Sequence, residues 1–194
     1  MLYNENTDRA KRGKKFQTEF YNLMLENKLN VIPTWDYFKQ KNKNYTKVDL
    51  AKLELRNGDI LLFDERKYII AHFELFTLLN DDGLFPVSKT KNFIGDNKYY
   101  VIKLLSNDDV YLMHSKSWNS YARKINKQVN VHGKDFYCYN KNIILNFRNK
   151  IKIDCGVNGN IGSIKDFVLG SNPNNQKTYL HNEVKHANSS IQSK

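Results

Sequence analysis

GDILLFDERKYIIAHFE, residues 58–74, sets two apolar runs around a charged centre. Apolar segments of this length bounded by Asn57-Gly58 and by charges read as two strands of a hairpin. If residues 64–67 make the turn, Phe63 pairs with Tyr68 and Asp59 falls opposite His72. Such antiparallel partners have Cβ atoms about 5 Å apart. Alternation then puts Glu74 on the face of His72, and Ile69, Ala71, Phe73 and Leu75 on the other. One face packs, and the other carries Asp59, His72 and Glu74. Carboxylate oxygens beside an imidazole that is neutral near pH 7 suit a hard divalent cation. A cation held there can polarise a phosphodiester and lower the pKa of a bound water. The same residues also have a plain structural reading, with Asp59 as a backbone cap beside a glycine and His72 as a cross-strand partner.

Upstream, residues 8–27 predict a helix, with Phe16, Phe20, Leu23 and Met24 at helical spacing. Residues 34–41 fit a short helix capped by Thr34, residues 31–33 a short strand or loop, and residues 48–55 a weakly amphipathic piece. Downstream, residues 81–83 (DDG) read as a turn, and residues 98–104 and 110–114 as a strand pair around SNDD. Residues 118–124 suggest a helix, and residues 135–147 one or two strands. A helix followed by paired strands predicts an α+β (mixed α/β) fold: an N-terminal helix packed on a central mixed sheet containing a hairpin near residues 59–76. One compact domain over residues 1–170 is expected, with residues 171–194 a polar, flexible tail.

With 40% hydrophobic and 13% aromatic residues among 194, a sizeable core is available. The 31 basic residues outnumber 20 acidic ones, for a net charge of +11. An excess of that size favours a polyanion, with nucleic acid, DNA before RNA, the expected partner. It also accords with a lysine-rich composition that serves solubility alone. No apolar run suits a membrane span or a secretory signal, so a cytoplasmic location and no membrane partner are expected. Cys138 and Cys155 lack the spacing of a zinc site and read as reduced thiols.

Candidate phosphate contacts are Arg12, Lys14 and Lys15 in the first helix, Lys89 and Lys91 in VSKTKNF, and Lys116 and Arg123 in MHSKSWNSYARK. Trp118 in the last segment is placed either to stack on a base or to fill the core. Neither a Walker A loop nor a dinucleotide fingerprint is present.

GKKFQTEF with Glu19, GDILLF with Asp59 and IIAHFELF with His72 and Glu74 together resemble the PD-(D/E)xK nuclease superfamily over residues 9–79. The resemblance implies a Mg²⁺-dependent endonuclease, with Mn²⁺ as a substitute. Glu19 and Asp59 would help to hold the metal, His72 would stand in the second acidic slot and Glu74 in the lysine slot. No proline precedes Asp59, and the expected lysine is absent. Glu65-Arg66-Lys67 is an alternative ExK triplet, but only six residues separate it from Asp59, too few for a turn between strands. A non-enzymatic nucleic-acid-binding protein, or a structural protein of a virus or mobile element, is the competing expectation. Cutting both strands of a duplex would call for a homodimer.

Overall fold

The structure, a computed structural model, describes residues 8–78, 82–125, 128–131, 133–155 and 162–171. The expected tail beyond residue 171 and the glycine-rich residues 156–161 lie outside them.

An N-terminal helix, α1 (Asp8–Glu26), leads into β1 (Asn30–Pro33), α2 (Thr34–Lys41) and α3 (Lys47–Asn57). The hairpin strands β2 (Ile60–Phe63) and β3 (Ile69–Leu78) follow, then β4 (Asp82–Pro86), α4 (Val87–Asn92), β5 (Lys98–Leu104) and β6 (Val110–His114). The rest is α5 (Ser115–Ile125), β7 (Gln128–Val131), β8 (Lys134–Asn140), α6 (Lys141–Asn146), β9 (Lys150–Ile153) and α7 (Gly162–Ser171). Six strands form a mixed sheet in the order β1-β2-β3-β5-β6-β9, and β4-β8-β7 form a second, antiparallel sheet. Within the large sheet only β3 and β5 run parallel.

Side-chain alternation divides the core in two. One face of the large sheet carries Ala71, Phe73, Leu75, Tyr99 and Val101 against Phe16, Phe20 and Met24 of α1 and Ile164 and Val168 of α7. The Phe20 and Phe73 rings meet edge-on at 6.2 Å. The expected helix packed on a mixed sheet is thus present. The other face carries Tyr100, Ile102 and Met113 against Val87 of α4, Trp118 and Ala122 of α5, and Ile144 of α6.

Several local expectations give way to tertiary context. Pro33, not Thr34, is the N-cap of α2, and it makes no side-chain cap bond. Thr34 is wholly buried, and its N–H donates to the Asp59 carbonyl at 2.9 Å. A side-chain cap does exist at α3, where Thr46 and Asp49 form a reciprocal capping box. Asp82 and Gly83 belong to β4 rather than to a turn, because Asn140 and Tyr139 of β8 pair with them. Residues 141–146, expected as strand, form α6, since Ile144 must reach the core beneath Trp118.

Candidate active site at the end of strand β2

The hairpin is longer than its charged centre suggests. Phe63 pairs with Ile69, not Tyr68, and a bulge between Leu62 and Phe63 adds a second residue of offset. Leu61 therefore faces His72, in place of the expected Asp59. Ile70 rather than Ile69 packs on the α1 face.

Asp59 stands just outside the ladder. Its N–H donates to the Phe73 carbonyl at 2.7 Å, and its Oδ2 accepts from the Leu75 N–H at 2.7 Å. The backbone groups of Asp59 and its carboxylate thus bracket Glu74 from both sides. The physical cause is that β2 begins only at Ile60, so the Leu75 N–H would otherwise have no acceptor along that edge. Gly58 makes the approach possible: its φ of +76° and ψ of −169° lie in a region open essentially to glycine alone. A Cβ there would meet the Phe73 carbonyl oxygen at 2.5 Å.

His72 and Glu74 alternate with Phe73 and Leu75, so they occupy the face that α3, α4 and α5 cover. His72 is 8% exposed and Glu74 only 2%. The His72 Nδ1 lies 3.1 Å from the Asn57 carbonyl. A carbonyl can only accept, so Nδ1 carries the proton and Nε2 the lone pair. Burial drives the His72 pKa down to about 4, against the Asn57 hydrogen bond that raises it, with the charge of Lys98 lowering it further. His72 is accordingly neutral at pH 7.

Lys98, which sequence reasoning missed, joins this group because β5 pairs in parallel with β3 and sets Lys98 beside His72. Its Nζ donates to the Arg56 carbonyl at 2.6 Å and lies 5.4 Å from the Phe93 ring centroid. Burial lowers its pKa. Lys98 and His72 together satisfy the last carbonyls of α3, where the negative end of the helix dipole favours positive charge and N–H donors. No local signal pairs residues 72 and 98, because a parallel partner is separated by a long crossover.

Glu19 does not join the group. It lies on α1, on the opposite face of the sheet, where it pairs with Lys103 at 3.4 Å and Lys15 at 3.7 Å. Lys103 reaches that face beside the Phe16 ring. Burial works against the charge on Lys103, yet Asp108 and Glu19 outweigh it and raise the pKa. Among the described residues, no three His, Cys, Asp or Glu side chains converge as a metal set.

The basic candidates divide between the two faces. Lys14 and Lys15 are exposed and Arg12 half-buried on α1, away from Glu74. Lys91 on α4 and Lys116 and Arg123 on α5 are exposed on helices that cover the Glu74 face. Lys116 is paired with Asp96. The Lys89 side chain lies outside the described residues. Trp118 is fully buried, its ring against Phe147 at 5.3 Å, so it fills the core and does not present a stacking surface. Its place on the inner stripe of α5 with Ala122 accounts for this. Among the described residues, no helix is long and apolar enough to cross a membrane.

No protein-family model matches the chain, and no curated protein has a matching sequence. Among solved structures, the chain is similar to D212, a nuclease from a fusselovirus, with 10% identity, a TM-score of 0.41, and coverage of 74% of this chain and 88% of that one.

Proposed function

We propose that the chain is a Mg²⁺-dependent nuclease that hydrolyses phosphodiester bonds, in DNA by preference, with Asp59 and Glu74 as the metal-holding carboxylates. The observation that carries this reading is the Asp59–Leu75 hydrogen bond, which ties one carboxylate to the backbone next to another. The reading requires the two carboxylates to share one cation, whose charge would offset their mutual repulsion. Mg²⁺ is commonly held by one or two carboxylates, with water and substrate phosphate completing its shell, so this donor pair fits it without a third protein ligand. Bound there, the ion would supply a polarised phosphoryl oxygen and an acidified water.

The chain's own residues do the positioning. The Leu75 N–H fixes the Asp59 carboxylate, and Glu74, next to Leu75 in the chain, sits almost wholly out of solvent. His72 stays neutral, and its proton on Nδ1 is anchored to Asn57. Lys98 adds positive charge on the same face. Lys91, Lys116 and Arg123 are the proposed phosphate contacts on the helices beside it, and the net charge of +11 draws in the polyanion.

The test is incubation of the protein with a mixed DNA and RNA pool in Mg²⁺ and in Mn²⁺. Asp59→Asn is expected to abolish cleavage while leaving salt-sensitive binding intact. The near-complete burial of His72 and Glu74 favours a second reading, a nucleic-acid-binding protein without hydrolysis. Binding by the wild type with no cleavage in either metal would select it.

A further inference from the structure

The charged centre of the hairpin takes no part in the site above, and it is built with more care than a solvated turn needs. Asp64 closes it three ways: Oδ1 accepts from the Tyr68 N–H at 2.8 Å, its N–H donates to the Tyr68 carbonyl at 2.9 Å, and its carbonyl accepts from Lys67 at 3.1 Å. Lys67 is held at φ +64°, a left-handed conformation that lysine rarely adopts. This fixed backbone holds Tyr68 in water, 68% exposed. Arg66 and Lys67 flank it, exposed, and among the described residues neither has an ion-pair partner.

More positive charge gathers at the same end of the sheet. Asn30 pairs with Phe63, which brings Lys28 to this edge. Lys41 stands over the Tyr37 ring, and that ring meets Phe63 at 5.4 Å. Exposed Glu65 is the acid on the tip whose side chain is not spent on closing the turn.

We propose that this hairpin tip is a second nucleic-acid contact, stacking an unpaired base on Tyr68 while Arg66 and Lys67 meet the neighbouring phosphates. A fixed aromatic ring beside basic side chains is the combination that single strands recognise, because every base offers a π-face and every linkage a charge. The proposal rests on the nuclease reading for its substrate class, though not on its residues. Tyr68 and Glu74 are six positions apart in the chain, about 20 Å along an extended strand. The tip therefore meets the nucleic acid about 20 Å from the carboxylates, a span of about six steps if the intervening nucleic acid is duplex at about 3.4 Å each.

The test uses Asp59→Asn protein to keep the nucleic acid whole, with a blunt DNA duplex and the same duplex bearing a single-stranded thymine tail that contains 2-aminopurine. Tighter binding of the tailed duplex and quenching of the probe are expected. Tyr68→Ala should remove the preference, about ten-fold in affinity, and the quenching, and Tyr68→Trp should restore both. Arg66→Ala with Lys67→Asn, which tolerates the positive φ, should lower the salt slope of binding by about 1.4. Equal affinity for blunt and tailed duplexes, or quenching unchanged in Tyr68→Ala, overturns the proposal. If tail binding behaves as expected but the wild type cuts nothing, the hydrolytic reading fails and the tip contact stands. If cutting is seen without a tail effect, the tip proposal alone fails.

Discussion

Asp59 accepts a hydrogen bond from the Leu75 N–H across the gap left because β2 begins only at Ile60. Its carboxylate thus has a structural duty alongside the proposed metal-holding one, and the two can be separated. Asp59→Ala strands the partly buried Leu75 donor and is expected to cost about 1–2 kcal/mol in urea denaturation. Asp59→Asn retains an acceptor and should cost less than half of that. Both should lose Mg²⁺-dependent cleavage, so activity lost equally at unequal stability marks the chemical role.

His72 makes stability depend on pH. Its folded pKa of about 4 lies below the ordinary value of 6.5, so between those values the unfolded chain binds more protons. Stability is full above about pH 6.5 and falls as the pH drops towards 4, by on the order of 3 kcal/mol in all. Urea midpoints measured across this range should fall more steeply for the wild type than for His72→Gln, which cannot titrate.

Gly58→Ala should be among the most damaging single changes. It combines a glycine-only backbone conformation with contacts of 2.5 Å to the Phe73 carbonyl oxygen and 2.9 Å to the Phe93 ring. A loss above about 3 kcal/mol is expected, from strain and overpacking together. Chemical denaturation checks it, and an unchanged midpoint would mean that the α3–β2 junction has slack.

Glu19→Gln separates the family pattern from the geometry. The resemblance to PD-(D/E)xK nucleases implies that this carboxylate holds metal, whereas Glu19 lies across the sheet from Glu74 in a solvent-facing pair with Lys103. Cleavage is expected to stay within about two-fold of the wild type, and stability to fall by less than about 1 kcal/mol. A loss of cleavage with an unchanged melting temperature would return Glu19 to the site.

What the sequence discloses here is local. The stripe of Phe16, Phe20, Leu23 and Met24 marks α1 because helical periodicity is written in neighbouring residues. The strand pair β5–β6 is readable for the same reason, from two apolar runs and a polar turn. The offset of the hairpin is not, because a fifth tip residue and a bulge at Ile70 change who faces whom without altering the look of either apolar run. Lys98 was hidden by the crossover between β3 and β5, and the placement of Glu19 by the question of which sheet face receives α1. Trp118 had two readings that only burial could part.

The bulge carries an evolutionary consequence. Relative to a tight four-residue turn, the longer tip and the bulge each advance β3 by one position against β2, and the two steps sum to an even number. Strand geometry makes parity the conserved quantity: an even change returns each side chain to its face, whereas an odd one exchanges Phe73 with Glu74. The hairpin therefore has a reading frame. Insertions or deletions in its tip should survive in pairs, or singly where a bulge is gained or lost with them.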